Sequence, residues 1–479
     1  MTTGKSASVI VRLDINFNNK RGVQSKMATK KYELDMTKGP IFKQLLTFTI
    51  PLILSGILQL LYNAADIVVV GNFSGITALA AVGSTGSLIN LITGLFMGLS
   101  LGVSVVASNY YGGKNYNGVS RVLHTAVTIS VIGGIVIGAI GIIIAPAVLK
   151  LMGSPFDVLP QAALYMRIYF CGMPFFMLYN FGSAVLRALG DTKRPLYFLA
   201  VSGIVNVVLN LFFVILFKMG VAGVALATII AQAISACFVV NCLMKSDGFY
   251  KLELKKLKIH RVELKKMIII GLPAGIQGSI FSISNVLIQS SINSFGSDTM
   301  AGNAAAANIE GFIYVAMNCI YQSALTFIGQ NFGAKEEKRI TQGMLTCVAM
   351  VVVIGLALGI LALIFSSSLI KIYNSDPDVI KLGMLRTKII APTYFICGIM
   401  EVLVGGIRGL GNSILPMIIS ILGVCGIRIV WLYTIFVWDP SLTTLYTSYP
   451  VSWFVTAAID LICFVMIKKK LKTTYFNKI

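Results

Sequence analysis

Apolar stretches of about 20 residues or more follow one another along nearly the whole chain, each long enough to cross a hydrocarbon layer about 30 Å thick. They fall near residues 42–71, 77–111, 119–149, 160–189, 194–217, 221–244, 264–295, 299–332, 340–370, 379–409, 413–438 and 448–468. Only 12% of the residues are charged, about half the share of an ordinary soluble domain. A soluble fold is excluded, and the chain reads as an all-α integral membrane protein of twelve helices. Pro51, Pro174, Pro273 and Pro392 fall inside or near the starts of spans, where a helix can bend if neighbours satisfy the freed carbonyls.

The formal charge of +21 does not point to nucleic acid, because the basic residues lie between spans rather than in one stripe. They crowd the N-terminal tail, Lys114–Arg121, Lys193–Arg194, Lys245–Lys266, Lys335–Arg339 and Lys468–Lys472, whereas the alternate connections are poor in them. By the positive-inside rule both termini and the central basic segment face the cytoplasm of a cell-membrane protein. The eight cysteines stand without a CxxC pair, so no disulfide framework or metal site is expected. Residues Met1–Ser25 lack the apolar core of a signal peptide and read as a polar tail.

The two halves repeat. Pro51, Gly56, Asn63, Phe73 and Thr77 find identical residues 222 positions later, at Pro273, Gly278, Asn285, Phe295 and Thr299, and RALGDTKRP (Arg187–Pro195) finds RGLGNSILP (Arg408–Pro416) 221 positions later. Six helices per half bring the second repeat in from the same side as the first, so the repeats are parallel and a central cleft between two lobes is the expected route. The expected organisation is a tail over 1–41, a first lobe over 42–244, a basic linker over 245–263, a second lobe over 264–468 and a tail over 469–479. The linker is expected to skim the membrane surface and let the lobes rock.

YNAADIVVVGN (Tyr62–Asn72), the turns YYGGKN and NFGAKE, RALGDTKRP, and GVAGVALATIIAQ (Gly220–Gln232), in this order, resemble the multidrug and toxic compound extrusion (MATE) family over about Met36 to Lys470. The resemblance implies a V-shaped, two-lobed antiporter that exports amphipathic, often cationic organic compounds or drugs in exchange for H⁺ or Na⁺.

An intramembrane carboxylate is a functional candidate by default; Asp66, Glu310, Glu401 and Asp460 fall inside the spans. Gln59, Tyr62, Asn63 and Asp66 form one polar stripe of the first helix. Asn206 and Asn210 in the fifth helix, and Thr228 and Gln232 in the sixth, form similar faces. The resemblance makes Asp66, Asn206 and Thr228 parts of a cation or proton site; Asn210 departs from it, standing where many members carry aspartate. A single carboxylate among amides and a hydroxyl favours a proton over sodium. Members with a second-lobe cation site carry acids in helices 7 and 10, but helix 7 here offers only Gln277, Ser282, Asn285 and Gln289.

Glu310 shares a helical face with Asn303, Tyr314 and Tyr321, and reads either as a cleft acid for organic cations or as a tether to a neighbouring span. Glu401 is expected to pair with Arg428, its other reading being a cleft residue. Asp460 is expected to reach toward Lys468–Lys470. Asn285 and Gln289 complete the cleft candidates. No GxxxxGK[ST] phosphate loop is present, and no cofactor is expected beyond the coupling ion. The expected partners are drugs or organic cations and membrane lipid, with the protein monomeric. Two alternatives compete: a lipid-linked precursor flippase, which needs a cationic cavity, and a membrane-embedded enzyme, which needs a constellation that isolated His124 and His260 do not provide.

Overall fold

The computed structural model describes residues 32–152 and 155–476; the polar tail expected over Met1–Ser25 lies outside them. Eleven described helices are long and apolar enough to cross a membrane, and one bent pair makes a twelfth span. In chain order the spans are α1 Ile41–Phe73, α2 Ile76–Gly112, α3 Tyr116–Leu151, α4 Leu159–Cys171 with Met173–Ala188, α5 Lys193–Leu216 and α6 Gly220–Met244 in the first lobe. The second lobe holds α7 Arg261–Asn293, α8 Ser297–Gly333, α9 Glu337–Ile364, α10 Pro377–Gly409, α11 Ile414–Trp438 and α12 Leu442–Leu471.

Several spans depart from the unbroken helices expected. α4 bends by 47° at Gly172, where Pro174 in the first turn of the second piece has no N–H to continue the ladder. α10 carries a 3₁₀ turn at Ala391–Thr393 around Pro392. The ninth span ends at Ile364 and is followed by a separate short helix, Ser366–Lys371. Both α5 and α11 contain π turns, at Phe212–Leu216 and Ile421–Gly426.

The repeat is visible in the backbone. Left-handed residues recur 221 positions apart: Gly75 (φ 85°) and Gly296 (φ 98°), Lys114 (φ 55°) and Lys335 (φ 61°), Gly190 (φ 85°) and Gly411 (φ 87°). Lys114 and Lys335 lie in the YYGGKN and NFGAKE turns, so equivalent sequence closes equivalent helix ends.

The lobes touch in the half of the bundle that carries the chain ends. There α2 and α7 meet backbone to backbone: a Cβ added at Gly98 would lie 2.2 Å from the Gly275 nitrogen, and one at Gly102 would lie 2.2 Å from the Met267 carbonyl oxygen. Gly112 sits as closely on Gln330, Gly333 on Asn109, and Thr49 hydrogen-bonds Ser323 at 2.7 Å. In the other half, a Cβ at Gly83, Gly86 or Gly94 of α2, or at Gly278 of α7, would meet nothing within 4 Å. The cleft is therefore shut at the terminal end and open at the opposite one.

Residues 32–40, expected as loose tail, are a strap across that shut end. Leu34 donates to the Leu189 carbonyl at 3.3 Å, and the Tyr250 hydroxyl donates to Glu33. Burial and the Glu33 carboxylate push the Tyr250 phenol up to about 12, so it keeps the proton it donates. Across the boundary, Met36 donates to Gln330 at 2.9 Å and its carbonyl accepts from Asn331 and Arg339.

The basic linker is not loose either: it is fastened to the first lobe. Glu253 N–H donates to His124 Nε2 at 3.2 Å and His260 N–H to Thr125 Oγ1 at 3.1 Å, both on α3. Tyr250 and Leu252 are buried. The apolar anchors within the lysine-rich run outweigh its charge density, and the charges point outward from a segment packed on the first lobe.

Candidate ion and substrate site

A polar side chain in a lipid-facing helix must find a partner inside the protein, and the first lobe shows where four of them go. Asp66 of α1 receives a hydrogen bond from Asn210 Nδ2 of α5, and the same amide reaches Asn206 Oδ1 at 3.2 Å, one turn away. Thr228 of α6 stands beside the carboxylate. Its hydroxyl hydrogen goes to the Val224 carbonyl at 2.9 Å, which leaves lone pairs for the site. The buried Asn210 Oδ1 has no hydrogen-bond partner. Carboxylate, amide and hydroxyl oxygens thus converge from three helices, an all-oxygen set that suits a hard cation or a proton. Among the described residues, no lysine or arginine forms an ion pair with Asp66.

Sequence reasoning missed two members of this site. Tyr165 and Tyr169 of α4 are near enough to feel the Asp66 charge, with ring centroids 6.3 Å apart, and Tyr169 also meets Gln232. Their four-residue spacing on one helical face was the available signal.

The rest of the α1 stripe divides. Tyr62 is seated on Gly203 of α5 and its hydroxyl points at the Leu199 and Ala200 carbonyls, 3.4 and 3.3 Å away, so it packs within the lobe rather than lining the cleft. Gln59 and Asn63 are exposed. Asn63 continues the heptad of Thr49 and Gly56, which touch Ser323 and Val315 of α8 in the shut half, and so faces the open cleft. Asn285, exposed on α7, continues the Gly271, Gly275 and Gly278 face in the same way.

In the second lobe Glu310 is a tether, not a cleft acid. Both of its oxygens accept from Arg386 of α10, at 3.0 and 2.7 Å, while Arg386 Nη1 donates to Asn303 at 2.6 Å. Asn303 in turn donates to Gln289 at 3.0 Å, which takes Gln289 out of the cleft and into an interhelical network. The Arg386 guanidinium also lies over the Tyr446 and Tyr449 rings. The tyrosines expected beside Glu310 separate: Tyr314 is exposed, whereas Tyr321 is buried and accepts from Arg408 at 2.6 Å.

The expected Glu401–Arg428 pair does not form. Arg428 donates to Ser452 at 3.0 Å and stacks over Tyr449 at 4.1 Å. The π turn at Ile421–Gly426 immediately precedes it, and its extra residue rotates the following face by about 100°. Asp460 does not reach Lys468–Lys470; it is fully buried against α10.

The same architecture recurs among known proteins. The outward-facing conformation of a multidrug resistance MATE family transporter of the MOP superfamily superposes with a TM-score of 0.87, covering 93% of this chain and 100% of that one at 21% identity. The "Probable multidrug resistance protein YpnP" of Bacillus subtilis (strain 168) is 28% identical over 81% of this chain and 87% of its own length. An "FAD transporter" of Shewanella oneidensis is 24% identical over 72% and 77%. The sequence model of the MatE family matches twice, at residues 51–212 and 273–434, which is the 222-residue repeat. Repeated helices, a two-lobed cleft and this double match establish that the chain belongs to the MatE family.

Proposed function

We propose that this protein is a secondary antiporter that exports amphipathic, often cationic organic compounds in exchange for H⁺ or Na⁺. The observation that carries the reading is Asp66, a carboxylate inside a lobe, held by amides and a hydroxyl but by no basic partner. Such a group can take up and release a cation without breaking a structural ion pair. The relative known as a probable multidrug resistance protein supports drugs as substrates. With the lysine-rich ends on the cytoplasmic side, the shut end faces the cytoplasm and the cleft opens outward. Cation binding at Asp66 then drives transport only through a difference in its affinity for the two cleft states. Asp66→Asn, inserted normally, is expected to abolish dye efflux by inverted vesicles under pH and sodium gradients imposed separately. Normal gradient-driven efflux by that variant would remove Asp66 from the mechanism.

One observation favours a second substrate class. Arg187, at the end of α4, lies near Cys319 of α8 at the lobe boundary and forms no ion pair with an acid among the described residues. A cation there suits an anionic compound, the class to which the flavin of the Shewanella relative's name belongs. Competition between a cationic dye and a flavin nucleotide for efflux separates the two.

A further inference from the structure

We propose that Asp460, Glu401 and Arg408 form a second cation site, in the second lobe, that holds one proton or one sodium ion. Asp460 of α12 is fully buried, and neither of its carboxylate oxygens has a hydrogen-bond partner. The helices α10 and α12 run parallel, in a register where the Tyr394 and Trp453 rings meet at 5.2 Å. Glu401 and Asp460 each lie seven residues further on, so the register sets them at the same level. Phe464, one turn beyond Asp460, packs on Gly406, which keeps this register to the helix ends. Glu401 and Arg408 are the charged groups that act on Asp460. The other titratable neighbours are Cys463 beside Asp460, and Tyr314, Tyr321 and Cys397 beside Glu401.

Charge balance carries the inference. Arg408 spends its Nη1 on the Tyr321 hydroxyl and its Nη2 on Gln277 Oε1, 2.6 and 2.7 Å away, and its buried Nε has no partner. Both of those partners are neutral, so the arginine charge is available to balance one carboxylate. The second carboxylate is left without a counter-charge inside a lipid-embedded lobe, where an unpaired ionised group neutralises or takes a cation. Either acid can be the one that Arg408 balances, and the total stays at one cation. The acids come from α10 and α12, and the arginine makes the cluster self-balancing once that cation is bound. Tyr314, beside Glu401, is exposed on α8.

The site's role in transport rests on the antiport reading, but its occupancy does not, and the test reads occupancy. The full-length chain carrying Asp66→Asn, which silences the first-lobe site, is purified and studied by infrared spectroscopy at neutral pH in sodium-free buffer. One protonated-carboxyl carbonyl stretch is expected. It disappears when sodium chloride is added, with radiolabelled sodium bound one per protein, if sodium takes the site; it persists if only a proton does. Asp460→Asn and Glu401→Gln are each expected to abolish the band and the sodium binding, because the one remaining acid then pairs with Arg408. Arg408→Gln is expected to double the band. If Asp460→Asn fails to fold, Glu401→Gln decides alone. Neither a band nor bound sodium in the parent protein, or a band unchanged in Glu401→Gln, overturns the proposal. An intact band in a protein whose efflux ignores both gradients would instead sink the antiport reading and leave the site standing.

Discussion

Gly98→Ala tests whether the glycine seam of α2 and α7 is what holds the cleft shut at its terminal end. The new methyl group would lie 2.2 Å from the Gly275 nitrogen, 2.5 Å from its Cα and 2.7 Å from the Gly271 carbonyl oxygen. All three are backbone atoms and cannot rotate aside, so the helices must part by more than 1 Å to reach ordinary contact. Overpacking of this kind costs about 1–3 kcal/mol, paid only in the state that closes the seam. That bias shifts the balance between the two cleft states by roughly 5- to 150-fold. Alanine in place of glycine favours the helix itself by about 1 kcal/mol in either state, so folding should survive. Spin labels at Leu79 and Val286, exposed near the open end, in a cysteine-free background, report the change. A shorter-distance population is expected to grow in Gly98→Ala. Gly94→Ala, one turn away with nothing within 4 Å of its added Cβ, is expected to leave the distances unchanged. Equal behaviour of the two variants would refute the reasoning.

Asn210→Asp places a second carboxylate against Asp66 and is expected to raise the sodium dependence of efflux; unchanged ion dependence would argue against the oxygen-set account. Glu310→Gln strands the buried Arg386 charge and is expected to destabilise the second lobe by about 3–5 kcal/mol, with equal loss of cationic and neutral substrates. Selective loss of cationic substrates would return Glu310 to the cleft. Asn331→Ala removes one clasp on the strap, at 3.1 Å from the Met36 carbonyl, and is expected to speed limited proteolysis between residues 32 and 40. An unchanged cleavage rate would mean that the strap is held mainly by its apolar anchors.

The helices and the polar faces of the first lobe were legible because each follows from the cost of polar groups in lipid, and the repeat because matching residues recur 222 positions apart. Asn206 and Asn210 could not face the bilayer, but the grouping of Asp66 with Asn206 and Thr228 came from the family resemblance, and the direct bond from Asn210 is what the structure adds. The second lobe was misread because Arg428 was the one intramembrane base weighed against its acids, and Arg386 and Arg408 were left out. Arg386 and Arg408 lie in the tenth span as plainly as Glu401 does, and Arg386 is 76 residues from Glu310, a pairing that no local spacing reveals. The Glu401–Arg428 expectation assumed ideal helical turns, and a π turn leaves no mark in hydropathy. Docking of the linker was hidden for a related reason: its many lysines dominate the composition, while Tyr250 and Leu252 decide where the backbone lies.

The linker's grip on α3 fixes where the lobes can pivot. Its last bond to the first lobe is made by the His260 N–H, and α7 begins at the next residue, so there is no spare chain between that fastening and the second lobe. Arg121 of α3 adds a further tie, to Glu263 in the first turn of α7 at 2.7 Å. In the proposed antiport cycle the axis of rocking passes close to this corner, and the opening at the far end of the cleft is the long arm of a lever with its fulcrum here. Cutting the peptide in the turn at Asp247–Gly248 would leave the second half with its own foothold on the first, because Leu252, Glu253 and His260 would stay with the part that has to find its seat.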